Sequence, residues 1–218
     1  MKRLALADEP CQVYWGTDAR TRLAGIDLIL SCGDLPHHYL EYLTNFTTAP
    51  IVYVNGNHDR EQPGGCLCAE DTVVKCCGLR IAGLGGSIRY DPHAEHQYTE
   101  QEMTRRAAKL NRAIRKAGGV DILLAHSPAR GLNDGPDFAH TGFDCFNRLL
   151  DEHTPDYFIH GHVHFSYNPA LPRVVQRGET TVINACERHL FELADRPAPA
   201  PKPAKGLWYR FFSSDPVR

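Results

Sequence analysis

Five short motifs hold side chains that could share one task. They are Asp8, Gly33-Asp34, Gly56-Asn57-His58-Asp59, His126 and Gly161-His162-Val163-His164. Carboxylates, one carboxamide and several imidazoles in a single cleft form a mixed oxygen and nitrogen ligand set for two divalent cations. Such a set favours Mn, Fe, Zn or Ni over Ca or Mg. The chemistry it supports is metal-dependent hydrolysis, because paired cations about 3.5–4 Å apart clamp an oxyanion and lower the pKa of a water. Taken singly, each motif is weak, since many turns contain Gly-Asp and most lone histidines do no chemistry. Their order and spacing are more telling. Asp8 and Asp34 lie 26 residues apart, and Asp34 and Asn57 lie 23 apart. Each interval suits one strand–helix–strand step.

Short apolar, β-rich runs precede the motifs. Strands are predicted at Leu4–Ala7, Leu28–Cys32, Ile51–Val54, Thr72–Cys76, Leu79–Gly83, Ile122–Ala125 and Tyr157–His160. More follow at Arg173–Gln176, Thr180–Ala185 and His189–Leu193. Several lack polar alternation, as strands buried on both faces do. A helix is predicted from Glu100 to Ala117, with Thr99 and Glu102 as a capping box and Gly118-Gly119 as its stop. Two more are predicted at Phe143–Glu152 and Pro36–Phe46. Interleaved strands and helices predict an α/β fold, in which strand ends gather at one edge.

The formal net charge of −2 leaves no basic surface to wrap nucleic acid. No apolar run approaches the roughly 20 residues that span a bilayer. The N-terminal apolar run stops after about four residues, too short for a signal peptide, so a cytoplasmic protein with no membrane partner is expected. In that reducing setting the eight cysteines are read as free thiols. Cys66, Cys68, Cys76 and Cys77 do not have the usual zinc spacing, and are read as half-buried residues near a hairpin.

Taken together, the motifs resemble those of the calcineurin-like metallophosphoesterase family. The match runs from about Leu4 to His164, with family strands continuing to Leu193. The resemblance implies a four-layer α/β/β/α sandwich with two metals at the strand ends. It implies that Asp34 bridges the metals, that Asp8 and His164 bind the first, and that Asn57, His126 and His162 bind the second. It makes His58 a catalytic proton donor or phosphoryl stabiliser rather than a ligand. The implied reaction is attack of an activated hydroxide on a phosphomonoester or phosphodiester. Asp59 is read either as orienting His58 or a ligand, or as a solvated turn residue.

One family position departs. Where the first motif reads Asp-x-His, this chain has Asp8-Glu9-Pro10, and proline cannot coordinate a metal. Glu9 is not expected to substitute, since neighbours on an extended strand point to opposite faces. His37 and His38 are candidates, and Cys11 is a poorer one. A water in the vacancy or a partly occupied first site is expected, so one or two divalent ions are implied.

Arg89 and Arg130 are candidate phosphate clamps on loops beside the site, with surface arginines as the plain alternative. Gly135 to His140 is a candidate lid. After a domain spanning 1–194, residues 195–206 read as a Pro/Ala/Lys-rich linker. Residues 207–218 form an aromatic C-terminal segment, read as packing on its own domain; docking in a homo-oligomer is the sharper alternative. The substrate expected is a small phosphoester. Two alternatives stand beside this reading: a mononuclear or weakly active enzyme, and a metal-dependent binding or scaffold protein.

Overall fold

The computed structural model describes residues 1–166 and 168–192. The segments 195–206 and 207–218 lie outside the described residues. The first sheet contains β1 (Lys2–Leu6), β2 (Leu28–Ser31), β3 (Ile51–Tyr53) and β4 (Leu67–Cys68). The second takes up β5 (Val73–Cys76) and β6 (Leu79–Leu84), while β7 (Ser87–Ile88) and β8 (Gln97–Tyr98) pair separately. The chain then adds β9 (Ile122–Ala125), β10 (Tyr157–His160), β11 (Val174–Arg177) and β12 (Thr180–Asn184) to the second sheet. The last strand among the described residues, β13 (His189–Glu192), returns to the first sheet. The sheet orders are β13-β1-β2-β3-β4 and β11-β12-β10-β9-β6-β5.

Strand alternation builds the layers. Ala5 and Ala7, Leu28 and Leu30, and Val52 and Val54 point between the sheets. They meet Ile81, Ile122, Leu124, Ile159 and Ile183 of the second sheet. The intervening residues Leu4, Leu6, Ile29, Ile51 and Tyr53 face outward. They pack under helices α1 (Ala19–Arg22) and α2 (His37–Thr44) through Leu23, Tyr39, Leu40 and Leu43. On the far side, Ala82, Leu84, Leu123, Phe158 and Val182 pack against α3 (Glu100–Ala117) and α4 (Asp144–His153). The period-two pattern thus feeds three cores, giving the expected α/β/β/α sandwich.

The predicted helices form within a residue or two of their expected bounds. Thr99 Oγ1 accepts the Glu102 amide at 3.2 Å, and the Glu102 carboxylate accepts the Thr99 amide at 2.8 Å. Met103, Ala107, Leu110 and Ile114 then present one buried stripe to the second sheet. Gly118 ends the helix with φ of 83°, the left-handed conformation that glycine adopts without penalty. The short β4, β7 and β8 were not foreseen; two-residue ladders leave no periodic signal.

Pairing is parallel for β1–β2, β2–β3, β6–β9, β9–β10 and β10–β12. Helix crossovers connect β2 to β3, β6 to β9, and β9 to β10. The C-terminal ends of β1, β2 and β3 therefore share an edge, as do those of β9 and β10.

Candidate metal centre

All five motifs begin where one of these parallel strands stops. The loops then converge through backbone contacts. The Asp8 amide donates to Gly33 O at 3.1 Å, and the Gly161 amide donates to His126 O at 2.9 Å. Asp59 Oδ2 accepts the amides of Asp34 at 2.9 Å and Gly56 at 2.7 Å, clamping the loops after β2 and β3 together. This places Asp59 behind the site, not in a solvated turn. Gly33 has φ of +91°, and a Cβ there would overlap the backbone of Gly56. A Cβ on Gly161 would collide with Ala7 and crowd Asp8 Oδ2. These glycines let the loops touch.

Asp8, Asp34 and His162 have φ of 66°, 56° and 68°. Non-glycine residues rarely occupy this left-handed region, although Asp, Asn and His tolerate it best. Strain of this type collects at functional sites where the surrounding structure enforces it.

Asp34, His126 and His162 place one ligand atom each within 4.8 Å of one another. Asn57 adds a fourth. His126 Nε2 lies 2.9 Å from Asn57 Oδ1, 3.1 Å from His162 Nδ1 and 3.4 Å from Asp34 Oδ2. The other ring nitrogens set the tautomers. His126 Nδ1 faces Cys32 O at 2.8 Å, and His162 Nε2 faces Ala139 O at 2.9 Å. A carbonyl can only accept, so those nitrogens carry the protons. The Asn57 amide donates to the Tyr90 hydroxyl at 2.9 Å, which turns its Oδ1 toward His126. Four lone-pair donors then face one point.

Such a cluster needs a positive charge at its centre, and the donor set fits a divalent transition-metal ion. Without a metal, a proton takes that place. Burial opposes charge on His126, but the Asp34 carboxylate outweighs it and lifts the pKa to about 9. Burial likewise opposes charge on Asp34, and His126 overcomes it, holding Asp34 well below the usual carboxylate range. His162 is pushed down to about 3, first by burial and then by the charge of His126, so its Nδ1 keeps a lone pair.

The remaining ligands implied by the motifs lie to one side. Asp8 Oδ1 accepts the His162 amide at 2.9 Å, while Asp8 Oδ2 is buried and accepts no hydrogen bond. His164 Nδ1 lies 3.0 Å from Glu9 Oε1. This contact corrects the expectation that Glu9 points away. The strand ends at Leu6, and the chain turns at Asp8 with the Glu9 amide bonded to Ala7 O at 2.7 Å. Extended-strand alternation therefore does not apply. His37 pairs instead with Glu61 at 3.2 Å, and His38 packs edge-on against Trp15.

His58 is exposed, and its amide donates to Asp34 Oδ1 at 2.8 Å. Both candidate clamps are engaged elsewhere. Arg89 bonds Gln97 O and Glu102, and Arg130 pairs with Asp144 at 3.1 Å. The phosphate-clamp expectation thus gains no support from their contacts. A surface loop carries more short-range options than sequence spacing resolves.

Tyr90 and Ala139 act on the centre without having been singled out for it. The segment 135–140, read as a lid, folds back on itself through the Gly135 amide and His140 O at 2.8 Å. It fixes His162 through Ala139 O and lays the His140 ring 5.1 Å from the His162 ring. Beside it opens a cavity of about 470 Å³, lined by Asp134, Pro136, Asp137, His140, Val163 and Leu171, among others. All eight cysteines are free, and among the described residues the cysteines contribute to no metal-ligating group of three.

The fold is a four-layer α/β/β/α sandwich, and Asp34, His126 and His162 form a candidate metal-binding cluster at its parallel strand ends. The profile of the calcineurin-like phosphoesterase superfamily domain matches residues 15–190. The chain belongs to that superfamily. Two solved structures agree on the fold. One superposes with a TM-score of 0.64 at 13% identity, covering 87% of this chain and 93% of the other. TT1561 of Thermus thermophilus superposes with a TM-score of 0.59 at 15% identity, covering 85% and 89%. A single mutant of Vps29 from Entamoeba histolytica gives a TM-score of 0.42 at 15% identity, covering 85% and 73%. No curated protein matches the chain. Among the described residues no helix is long and apolar enough to cross a membrane.

Proposed function

We propose that this protein is a metal-dependent phosphoesterase acting on a small phosphomonoester or phosphodiester. The observation that supports this most is the convergence of Asp34, Asn57, His126 and His162 donors on one point. A divalent Mn, Fe, Zn or Ni ion bound there would supply Lewis acidity toward a phosphoryl oxygen and lower the pKa of a water. Asn57, His126 and His162 would hold the second ion and Asp8 and His164 the first, with Asp34 available to both.

The chain's own residues then have separate tasks. Carbonyls of Cys32 and Ala139 keep His126 and His162 in the ligating tautomers. Tyr90 keeps Asn57 turned inward. The exposed imidazole of His58, anchored beside Asp34 through its amide, donates a proton to the leaving alkoxide. The cavity near His140 is of a size to receive the alcohol portion of a small ester.

The test is turnover of p-nitrophenyl phosphate and bis-p-nitrophenyl phosphate with Mn, Fe, Zn and Ni supplied in turn. Hydrolysis of at least one ester is expected. No hydrolysis with any metal would favour a metal-dependent binding or scaffold protein. His58→Ala should lower turnover by about 100-fold or more while bound metal stays constant; unchanged turnover would remove its role.

A second reading is a mononuclear enzyme. It is favoured by Pro10 and by the position of Asp8 and His164 outside the compact ligand cluster. Metal content per chain at saturation separates the two readings.

A further inference from the structure

The three implied histidine ligands differ in what holds their second nitrogen. For His126 and His162 it is a backbone carbonyl. For His164 it is the carboxylate of Glu9, with Oε1 lying 3.0 Å from Nδ1. The partners are 155 residues apart in sequence and come from the loops after β1 and β10.

We propose that Glu9 is the positioning residue of the first metal site. Its carboxylate accepts the Nδ1 proton of His164, so that Nε2 is the donor offered to a divalent ion shared with Asp8 and Asp34. This rests on the metal-site reading above, and adds to it a residue that the family pattern does not assign.

Three observations support the assignment. First, Asp8 Oδ2 is buried with no hydrogen-bond partner. A buried carboxylate oxygen in that state calls for a cation. Second, Glu9 sits at the rim. Its side chain is 57% exposed, against 24% for His164 and 11% for Asp34. Glu9 meets His164 at Nδ1, which leaves Nε2, on the far side of the ring, for an ion. Third, the turn at Asp8 brings Glu9 toward His164, and Pro10 restricts the backbone of the residue before it to extended conformations. The proline that removes a ligand thereby stiffens the residue that supports another.

The physical consequence follows from charge. An imidazole whose N–H points at a carboxylate is a stronger metal donor than one facing a neutral carbonyl. Glu9 thus offsets part of the loss at position 10. The first site remains weaker than the second, because it still has one protein ligand fewer.

The experiment is equilibrium dialysis of the full chain against Mn(II), for the natural sequence, Glu9→Ala, Glu9→Gln and His164→Ala. Histidine tautomers are read in parallel by long-range proton–nitrogen NMR on the Zn(II)-loaded protein. The natural protein is expected to bind two Mn(II), one tightly and one weakly. Glu9→Ala should weaken the weak site by about 10–100-fold and leave the tight site unchanged. Glu9→Gln should weaken it less, since an amide oxygen still accepts the Nδ1 proton. His164→Ala should abolish the weak site. The NMR signature of a protonated Nδ1 on His164 should be lost in Glu9→Ala.

An unchanged weak site in Glu9→Ala overturns the proposal. So does a loss in Glu9→Gln as complete as in His164→Ala, which would make Glu9 a ligand itself. A natural protein that binds one Mn(II) overturns it too, while leaving the metal-centre reading intact. A protein that binds none overturns both.

Discussion

The two halves of the candidate metal centre are built to different standards. The half around His126 is closed: His126 is fully buried, His162 and Asn57 nearly so, and each has a partner fixing its orientation. The half around His164 is open: His164 is partly exposed, and its partner Glu9 is mostly in water. One half comes from four loops locked by buried backbone contacts. The other depends on a turn and one rim carboxylate. Affinity should follow this difference, because orientation fixed in advance is not lost on binding.

The largest effect expected is from His126→Asn. It should remove the tight ion, with a fall in affinity of at least about 100-fold, since loss of outer partners alone costs about 10–100-fold. His164→Asn should remove only the weak ion. Metal content by mass spectrometry after dialysis checks both. Equal losses in the two variants would break the comparison between the halves.

The next effect is on pH dependence. In chelator-treated protein, His126 holds a proton up to a pKa of about 9, as Asp34 outweighs the opposing effect of burial. Its unfolded pKa is about 6.5. The folded value is the higher one, so this proton stabilises the metal-free fold fully below about pH 6.5. That contribution is lost as pH rises toward about 9. The Tm of metal-free protein should therefore fall across that window, and the fall should be absent in His126→Asn. A metal-free Tm that is flat between those two pH values would mean that His126 and Asp34 do not share a proton in place of the cation.

The smallest effect expected is from Tyr90→Phe. It removes the acceptor that turns the Asn57 amide, and should weaken the tight site by roughly 10-fold, the lower end for an outer partner. Titration with Mn(II) would show it. A loss at the weak site instead would mean that Tyr90 serves the open half.

Much of this was legible in the sequence, for identifiable reasons. Helix α3 was readable because Thr99, Glu102 and the Met103–Ala107–Leu110–Ile114 stripe are local signals, each made within a few turns of chain. The strands were readable because burial on both faces forces continuous apolar runs. Asp34, Asn57, His126 and His162 were readable because each immediately follows such a run. The arginines were not. Arg89 and Arg130 lie on site-side loops, yet their partners are Glu102 on α3 and Asp144 on α4, and no spacing rule ties those residues together. Glu9 was misread because its side-chain direction depends on the backbone turn at Asp8, and a positive φ at an aspartate leaves no mark in composition.

By itself, the sequence determined which candidate ligand types this protein owns, their order along the chain, and the strand ends from which they project. Those are consequences of local pattern, and local pattern is written in neighbouring residues. Tertiary structure alone decided how the ligands are held. Cys32 meets His126 across 94 residues, Ala139 meets His162 across 23, and Glu9 meets His164 across 155. Each is a single hydrogen bond that exists only once distant loops have closed on one another, and the first and last also require the two sheets to have packed.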